Sequence, residues 1–295
     1  MKAAADTYAA SKRWRLPTFG QLATLLGAVI VIAAFLVAVF APYLTPHDPF
    51  AQDLNLRLIP PIWMEGSQAT HLLGTDQIGR DYLSRLIYGT RISVLIGVLT
   101  VVTSGIIGIT LGILGGFYGG RIDAVVMFVI TCRLSIPLIL VALTVVALVG
   151  SSLTVVILTL GLLLWERFAV VARTTTMQVR NLDYIAAAQA AGASRAHILL
   201  REVLPNIANH LVVVATLEMA LAILLEAALS FLGLGVPQPL PSWGLMIAEA
   251  KEYMFFSPWV IVTPGVALFV LVLGINLLGD GLRDMLRADL RQWRS

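Results

Sequence analysis

Residues 92–120 read ISVLIGVLTVVTSGIIGITLGILGGFYGG and contain no Asp, Glu, Lys or Arg. The hydrocarbon core of a bilayer is about 30 Å thick, and a helix needs about 20 mostly apolar residues to cross it. Four further stretches of at least that length also lack these residue types: 16–47, 134–165, 227–248 and 253–279. Of the 295 residues, 58% are hydrophobic and 13% charged, whereas a soluble domain has about 25% charged residues. The sequence therefore predicts an all-helical protein that crosses the membrane several times.

The number of spans follows from trimming these stretches at Pro and Gly and from allowing a few internal charges. Six spans result, near 21–41, 92–117, 123–148, 153–173, 207–232 and 259–279. An uncleaved first span is favoured over a signal peptide, because the first apolar run is too long for a signal peptide and has no clear small-x-small cleavage site.

The orientation follows from the Lys and Arg residues, which concentrate in short cytoplasmic loops. The N-terminal arm 1–20, the loop 174–206 and the tail 283–295 are basic, whereas 42–74 and 233–258 are weakly acidic. An even number of spans with both termini in the cytoplasm satisfies every loop. The predicted organisation is an arm (1–20), a first span (21–41), an external loop and lead-in segment (42–91), a five-helix core (92–282) that includes the loop 174–206, and a tail (283–295).

Several kinds of chemistry are absent from the sequence. None of the three lysines, Lys2, Lys12 and Lys251, lies in a G-x-x-x-x-G-K-[ST] phosphate-binding loop, and no H-E-x-x-H or G-x-S-x-G motif occurs. The single cysteine, Cys132, excludes a disulfide framework and a multi-cysteine metal site. A net charge of +3 is too small for a nucleic-acid footprint. We therefore expect a transport protein that is not an enzyme and that holds no catalytic residue, cofactor or metal of its own.

The energy source for transport remains to be assigned. A secondary transporter would show an internal repeat, and none is visible in this sequence. Two acids inside the fifth predicted span, Glu218 and Glu226, could couple transport to an ion gradient, so this alternative stays open.

The cytoplasmic loop 174–206 carries the most local information. Its alanine-rich run from Tyr184 to Ala191 predicts a helix, which Gly192 can end in the left-handed conformation. Ser194 can cap a second helix, Arg195 to Leu204, which Pro205 is expected to end. An interfacial helix on the lipid headgroups is the alternative, but such helices need bulky apolar anchors that the alanine run lacks.

This run, YIAAAQAAGAS at 184–194 with Ile198 and the Leu-Pro-Asn at 204–206, resembles the EAA loop of ABC-importer permeases. Two departures are Ala186, where the family usually has the Glu that names the motif, and Glu202, where a His is common. Further segments resemble the C-type subunit of dipeptide and oligopeptide (peptide/nickel) importers: HLLGTDQIGRDYLSRLIYGTR at 71–91, GGFYGG at 115–120, EAALSFLGLG at 226–235, PSWG at 241–244 and NLLGDGLR at 276–283.

The resemblance implies a six-span type I ABC importer permease with cytoplasmic coupling helices, in a bacterial cytoplasmic (inner) membrane. It also implies a heterodimer with a homologous permease, two separate ATPase subunits that carry ATP and Mg, and an external solute-binding protein. Di- or oligopeptides are the expected substrates, and nickel, glutathione and haem stay alternatives because their importers share this family. The residues expected to couple this chain to the ATPases are Tyr184, Ala187, Ala188, Ala191, Gly192, Ala193, Ser194, Ile198, Leu204 and Pro205.

Arg133 is unusual because it lies about ten residues inside the third predicted span, and a central Arg costs at least about 2.5–3.5 kcal/mol on insertion scales. It either lines the pathway and attracts a peptide carboxylate, or pairs with Glu218 or Glu226. The Pro-rich external segment 42–74 resembles the family's region that faces the binding protein, and a passive linker is the alternative.

Overall fold

The computed structural model describes residues 19–292, with side chains described for residues 20–285. Most of the predicted arm 1–20 and the last residues of the tail, 293–295, lie outside the described residues. The helices of the described part are α1 (Phe19–Leu44), α2 (Tyr82–Tyr118), α3 (Gly120–Leu134), α4 (Leu138–Val149), α5 (Leu153–Leu163), α6 (Glu166–Val179), α7 (Asp183–Ala190), α8 (Arg195–His197), α9 (Leu204–Phe231), α10 (Trp243–Ala250) and α11 (Trp259–Gln292). This part of the chain forms no β-strand, so the predicted all-α fold is confirmed.

Five segments of the described chain are long and apolar enough to cross a membrane: Gly20–Leu44, Tyr82–Tyr118, Leu153–Val179, Arg195–Phe231 and Trp259–Met285. The remaining predicted span, 123–148, is not one continuous helix. Its two halves, α3 and α4, meet at an angle of 80°. Pro137 stands at the N-cap of α4, and since proline has no N–H to donate and its ring disfavours a helical residue before it, the break falls there. The six predicted spans are thus present if this bent pair counts as one.

The helix α2 is central, because it contacts α1, α3, α5, α6 and α9. Its closest neighbour is α6, and three glycines spaced four residues apart make that approach possible. A Cβ atom added at Gly108, Gly112 or Gly116 would lie 2.2, 2.4 or 2.6 Å from a backbone oxygen of α6 or of Trp165 just before it. Small residues at such positions let two membrane helices pack backbone to backbone. We call these three residues the glycine rail.

The two terminal helices of the described chain, α1 and α11, pack along each other. Glycine again permits the contact, since a Cβ at Gly27 would lie 2.6 Å from the amide nitrogen of Leu278. The predicted tail beyond residue 282 continues α11 as a helix to Gln292. Residues 45–81 connect α1 to α2 without a long helix and fold back against the start of α2.

Candidate functional site

The helix–glycine–helix arrangement of the loop 174–206 is present as predicted. Gly192 has a φ of 81°, a left-handed conformation that favours glycine. Its N–H donates to the carbonyl of Gln189 at 3.0 Å, and the N–H of Ala193 donates to the carbonyl of Ala188 at 3.0 Å. These two bonds satisfy carbonyls at the end of α7 that no helical partner reaches. The turn between α7 and α8 therefore has a defined backbone path.

The second helix of the loop starts as predicted but does not end as predicted. Ser194 Oγ accepts a hydrogen bond of 3.2 Å from the N–H of His197, which is the expected N-cap. The chain then passes through one π-helical turn, Ile198–Val203, directly into α9. Pro205 lies in the first turn of α9, where a missing N–H is tolerated, and the wider turn before it makes room for the ring. The expectation that Pro205 ends this helix is wrong.

The ten predicted coupling residues divide by exposure. Tyr184, Ala187, Ala191, Gly192, Ser194 and Pro205 are exposed, whereas Ala188, Ala193 and Leu204 are half-buried. Ile198 is only 1% exposed and belongs to one apolar cluster with Ile185, Val203 and Phe168. Ile198 therefore anchors the loop to the membrane helices and does not face outward. We call the six exposed residues the coupling surface.

Tyr184 is the largest side chain of the coupling surface. Burial of part of its ring, and the carboxylate of Glu202 nearby, raise the pKa of Tyr184. Its hydroxyl therefore stays protonated at neutral pH and is available as a hydrogen-bond donor.

Arginines join the base of this loop to the membrane helices. Arg180 Nη1 donates to the carbonyl oxygens of Gly116 and Phe117 at 2.9 and 3.1 Å, at the C-terminal end of α2. The guanidinium of Arg195 lies 5.7 Å from the ring centre of Tyr118, within cation–π distance. Arg173 Nη2 donates to Asp123 Oδ2 at 2.6 Å and thereby joins α6 to α3. These contacts join the loop to α2, and α6 to α3.

A buried group of four charges lies at the start of α2. Arg80 Nε is 2.6 Å from Asp76 Oδ2, and Arg80 Nη2 is 3.1 Å from Glu249 Oε2. Arg85 also contacts Asp76, and its Nη2 is 2.9 Å from Glu249 Oε2. Each of these side chains is less than 10% exposed. The four charges join the lead-in segment to α10, which is distant in the sequence.

Arg133 does not lie within ion-pair distance of either acid predicted as its partner. Its Nη2 is 3.6 Å from Glu166 Oε1 and donates to the carbonyl of Leu163. Glu218 Oε1 is instead 3.3 Å from Arg167 Nη1. The oxygen Oε1 of Glu226 accepts hydrogen bonds from Ser230 and Ser242, at 2.7 and 2.8 Å. The reason is the packing of α3 against α2 and α6, which places Arg133 beside the junction of α5 and α6.

The sequence matches two families of known proteins. Residues 108–292 match the family described as "Binding-protein-dependent transport system inner membrane component". Residues 23–61 match the "N-terminal TM domain of oligopeptide transport permease C". The chain belongs to these binding-protein-dependent permeases. It is the permease subunit of an ABC importer, as the sequence predicted.

Relatives with assigned names resemble the permease over nearly its whole length. It is 42% identical to the di/tripeptide transport system permease protein of Pseudomonas aeruginosa, over 90% of this chain and 88% of the relative. It is 39% identical to the dipeptide transport system permease protein of Haemophilus influenzae, over 91% of each chain. It is also 38% identical to the glutathione transport system permease protein of Pectobacterium atrosepticum, over 92% of this chain and 88% of the relative.

A solved structure supports the fold. A chain of the inward-facing methionine ABC transporter MetNI has a TM-score of 0.55 to the permease, at 20% sequence identity, and the match covers 68% of this chain and 95% of that chain. The predicted type I importer fold is therefore confirmed. The permease is a multi-pass membrane protein, with five such apolar segments and a bent pair in its described part.

The buried charges of the lead-in segment are features that sequence reasoning did not assign. Arg80 and Arg85 stand in the segment 71–91, which the sequence marked only as a motif. Four charges within ten residues, just before an apolar run, were the available signal: Asp76, Arg80, Asp81 and Arg85. Glu249, the common partner of Arg80 and Arg85, could not be found from spacing, because it lies 169 and 164 positions after them in the chain.

Proposed function

We propose that the permease forms half of the translocation pathway for di- or oligopeptides and that separate ATPase subunits drive it by binding to the coupling surface. The observation that carries this proposal is the two-sided structure of the loop. Its outer side exposes Ala187, Ala191 and Gly192, while Ile185 and Ile198 on its inner side are buried. Small exposed residues let a partner approach the backbone closely, and buried anchors let the partner move the membrane helices.

The peptide substrate is proposed from the relatives. Two of those named above are described as di/tripeptide or dipeptide permeases, at 42% and 39% identity. The glutathione permease, at 38% identity, makes glutathione, itself a small peptide, the strongest alternative, ahead of nickel or haem. An ABC importer permease implies a partner permease and ATPase subunits, and we propose a homologous permease in a heterodimer and two ATPases that hold ATP and Mg. We further propose an external binding protein, a bacterial inner membrane and cytoplasmic termini.

The external surface offers a place for the binding protein. Trp63 in the Pro-rich segment is 66% exposed, and Phe255 and Phe256, between α10 and α11, are 83% and 87% exposed. Exposed aromatic side chains are enriched in protein interfaces. We propose that these residues contribute to docking of the binding protein.

Two substitutions test the coupling surface. Gly192→Pro is incompatible with the observed φ of 81°, because proline fixes φ near −65°. Ala187→Glu places a bulky charge on the exposed side of α7. We expect each variant to lower peptide uptake by about tenfold or more, which corresponds to about 1.4 kcal/mol of lost coupling, while ATP hydrolysis continues.

The assay uses the complete importer reconstituted in proteoliposomes, with uptake of a labelled dipeptide and phosphate release measured together. Gly150→Pro is the matched backbone control, since Gly150 also has a positive φ (101°) but lies between α4 and α5. Ala186→Glu is the matched charge control, because it adds the same side chain at the position where the family usually has a Glu, and it should leave uptake unchanged. Wild-type uptake by both Gly192→Pro and Ala187→Glu would refute the proposal. Uptake that follows an ion gradient without ATPases would refute it in favour of a secondary transporter.

A further inference from the structure

Three side chains from separate segments converge beside the start of α2. His47 follows α1, His71 lies in the lead-in segment, and Asp81 is the N-cap of α2. The Nδ1 atom of His71 is 2.8 Å from Asp81 Oδ1, and the Nδ1 atom of His47 is 3.6 Å from the same oxygen. One possible ligand atom from each residue lies within 4.8 Å of the other two.

The backbone around these residues holds them in this orientation. Asp81 Oδ2 accepts a hydrogen bond of 2.8 Å from the N–H of Ser84, so the capping role uses one carboxylate oxygen and leaves Oδ1 directed at the imidazoles. The N–H of His47 donates to Ser84 Oγ at 3.0 Å, which fixes the second histidine to the same turn of α2. The group is therefore positioned by contacts other than those among its own members.

An ordinary helix cap does not explain the second histidine. His71 alone supplies a hydrogen-bond partner for Oδ1, whereas the 3.6 Å separation of His47 from that oxygen is too long for a hydrogen bond. The two imidazole rings nonetheless lie with their centres 4.9 Å apart. Two imidazoles and a carboxylate around one point form the donor set of a transition-metal site.

We propose that His47, His71 and Asp81 bind a divalent transition-metal ion of the Zn²⁺ type. Ligand atoms about 2.0–2.2 Å from a tetrahedral Zn²⁺ lie about 3.3–3.6 Å from one another. The observed separations from Asp81 Oδ1 are 2.8 Å for His71 and 3.6 Å for His47, and all three ligand atoms lie within 4.8 Å of one another. Binding needs the lone pair of His71 Nδ1, so the proton of the hydrogen bond to Asp81 moves to Nε2. The side chains must also shift so that all three separations fall within that range.

The site is buried on one side and open on the other. The side chains of Asp81 and His71 are 3% and 10% exposed, whereas that of His47 is 41% exposed. A cavity of about 400 Å³ opens at this point and is also lined by Asp48 and Asp53. The open position and the acidic lining give a cation a path to the ligands. The ion would join the end of α1 to the start of α2, and this inference does not depend on the proposed transport function.

The test measures Zn²⁺ binding to the full-length permease, purified in detergent in its complex and stripped with a chelator. We expect one equivalent of Zn²⁺ to bind in competition with a chromophoric chelator, and Co²⁺ in its place to give the intense visible absorption of a tetrahedral site. His47→Gln should weaken binding by about 100-fold or more, because even a partner outside the coordination shell contributes about 10–100-fold. His47 is partly exposed, so this variant keeps the fold.

The chain supplies its own control. It contains four histidines, and the other two, His197 and His210, are exposed at a distance in the sequence. The double variant His197→Gln/His210→Gln should bind Zn²⁺ as the wild type does, whereas His47→Gln/His71→Gln should lose the equivalent and the Co²⁺ spectrum. Failure of the wild type to bind Zn²⁺, or an equal loss in both double variants, would overturn the proposal.

Discussion

Substitution of the middle glycine of the rail, Gly112→Ala, should separate α2 from α6. The new Cβ would lie 2.4 Å from the carbonyl oxygen of Ala169 and 2.7 Å from the Cβ of Ala172. Non-bonded carbon atoms have their optimal separation at about 3.5–4.0 Å, so the helices must move apart by about 1 Å at this level. Overpacking of this kind costs about 1–3 kcal/mol. Alanine recovers about 0.5–1 kcal/mol through its better helix propensity, which leaves a net loss of about 1–2 kcal/mol.

The assay is thermal unfolding of the purified permease, followed by tryptophan fluorescence at a fixed scan rate because unfolding of large proteins is often irreversible. At about 2–4 °C per kcal/mol, Tm should fall by about 2–8 °C. Gly265→Ala is the matched control: Gly265 lies within α11, and a Cβ there would meet nothing within 4 Å. Its Tm should stay level or rise. If Gly112→Ala raised Tm as much as Gly265→Ala, the close approach of α2 and α6 would be refuted.

Three further predictions concern the charged side chains. Glu249→Leu removes the acid within 3.1 Å of two buried arginines and should lower the free energy of unfolding by about 3–5 kcal/mol. The yield of monodisperse protein should fall, whereas the exposed control Glu252→Leu should leave it unchanged. Equal yields of the two variants would contradict the buried cluster. Arg133→Met leaves Glu166 without its cation, so we expect this variant to lose assembly of the importer. In a double-mutant cycle, the added substitution Glu166→Gln should partly restore assembly. A well-folded Arg133→Met variant with weakened uptake would instead support a pathway role for Arg133. Arg180→Met removes two hydrogen bonds to the end of α2, each worth about 1.5–3 kcal/mol for a charged donor. It should lower both Tm and the ratio of peptide uptake to ATP hydrolysis. An unchanged ratio would argue against transmission of movement through this residue.

Local rules were sufficient for much of the fold. Apolar length, with trimming at Pro and Gly and a few internal charges allowed, located the spans but not the bend within 123–148, because a bilayer imposes about one length on every span. The turn at Gly192 and the cap at Ser194 were also predictable, since each depends on residues within four positions of itself. The exposed character of Ala187 and Ala191 followed from the same local pattern.

Contacts between distant segments were not predictable in this way. The burial of Ile198 depends on α2 and α6, and the partner of Arg133 depends on the packing of α3 against α6. Pro205 shows a second limit, because a proline ends a helix or starts one according to the turn before it. That turn is a π-helical one, Ile198–Val203, and its wider backbone has no marker in the sequence.

The glycine rail also has sequence signals that become clear only with the structure. Glycines at 108, 112 and 116 share a four-residue spacing, which places them on one face of α2. The spacing identifies a face but not the helix that packs on it. Only the approach to Trp165 and α6 shows which neighbour this face receives.

The helical segment from Arg195 to Phe231 is 37 residues long and continues from the loop 174–206 into α9 without a break. At about 1.5 Å per residue this rod is about 55 Å long. If this helical segment tilted by about 5° about one end, its other end would move by about 5 Å, which is close to the rise of one helical turn. Glu218 and Glu226 lie in α9, in the half of this helical segment that is far from the loop. A rotation of a few degrees at the loop end would thus displace the other end of this helix by a distance close to one helical turn.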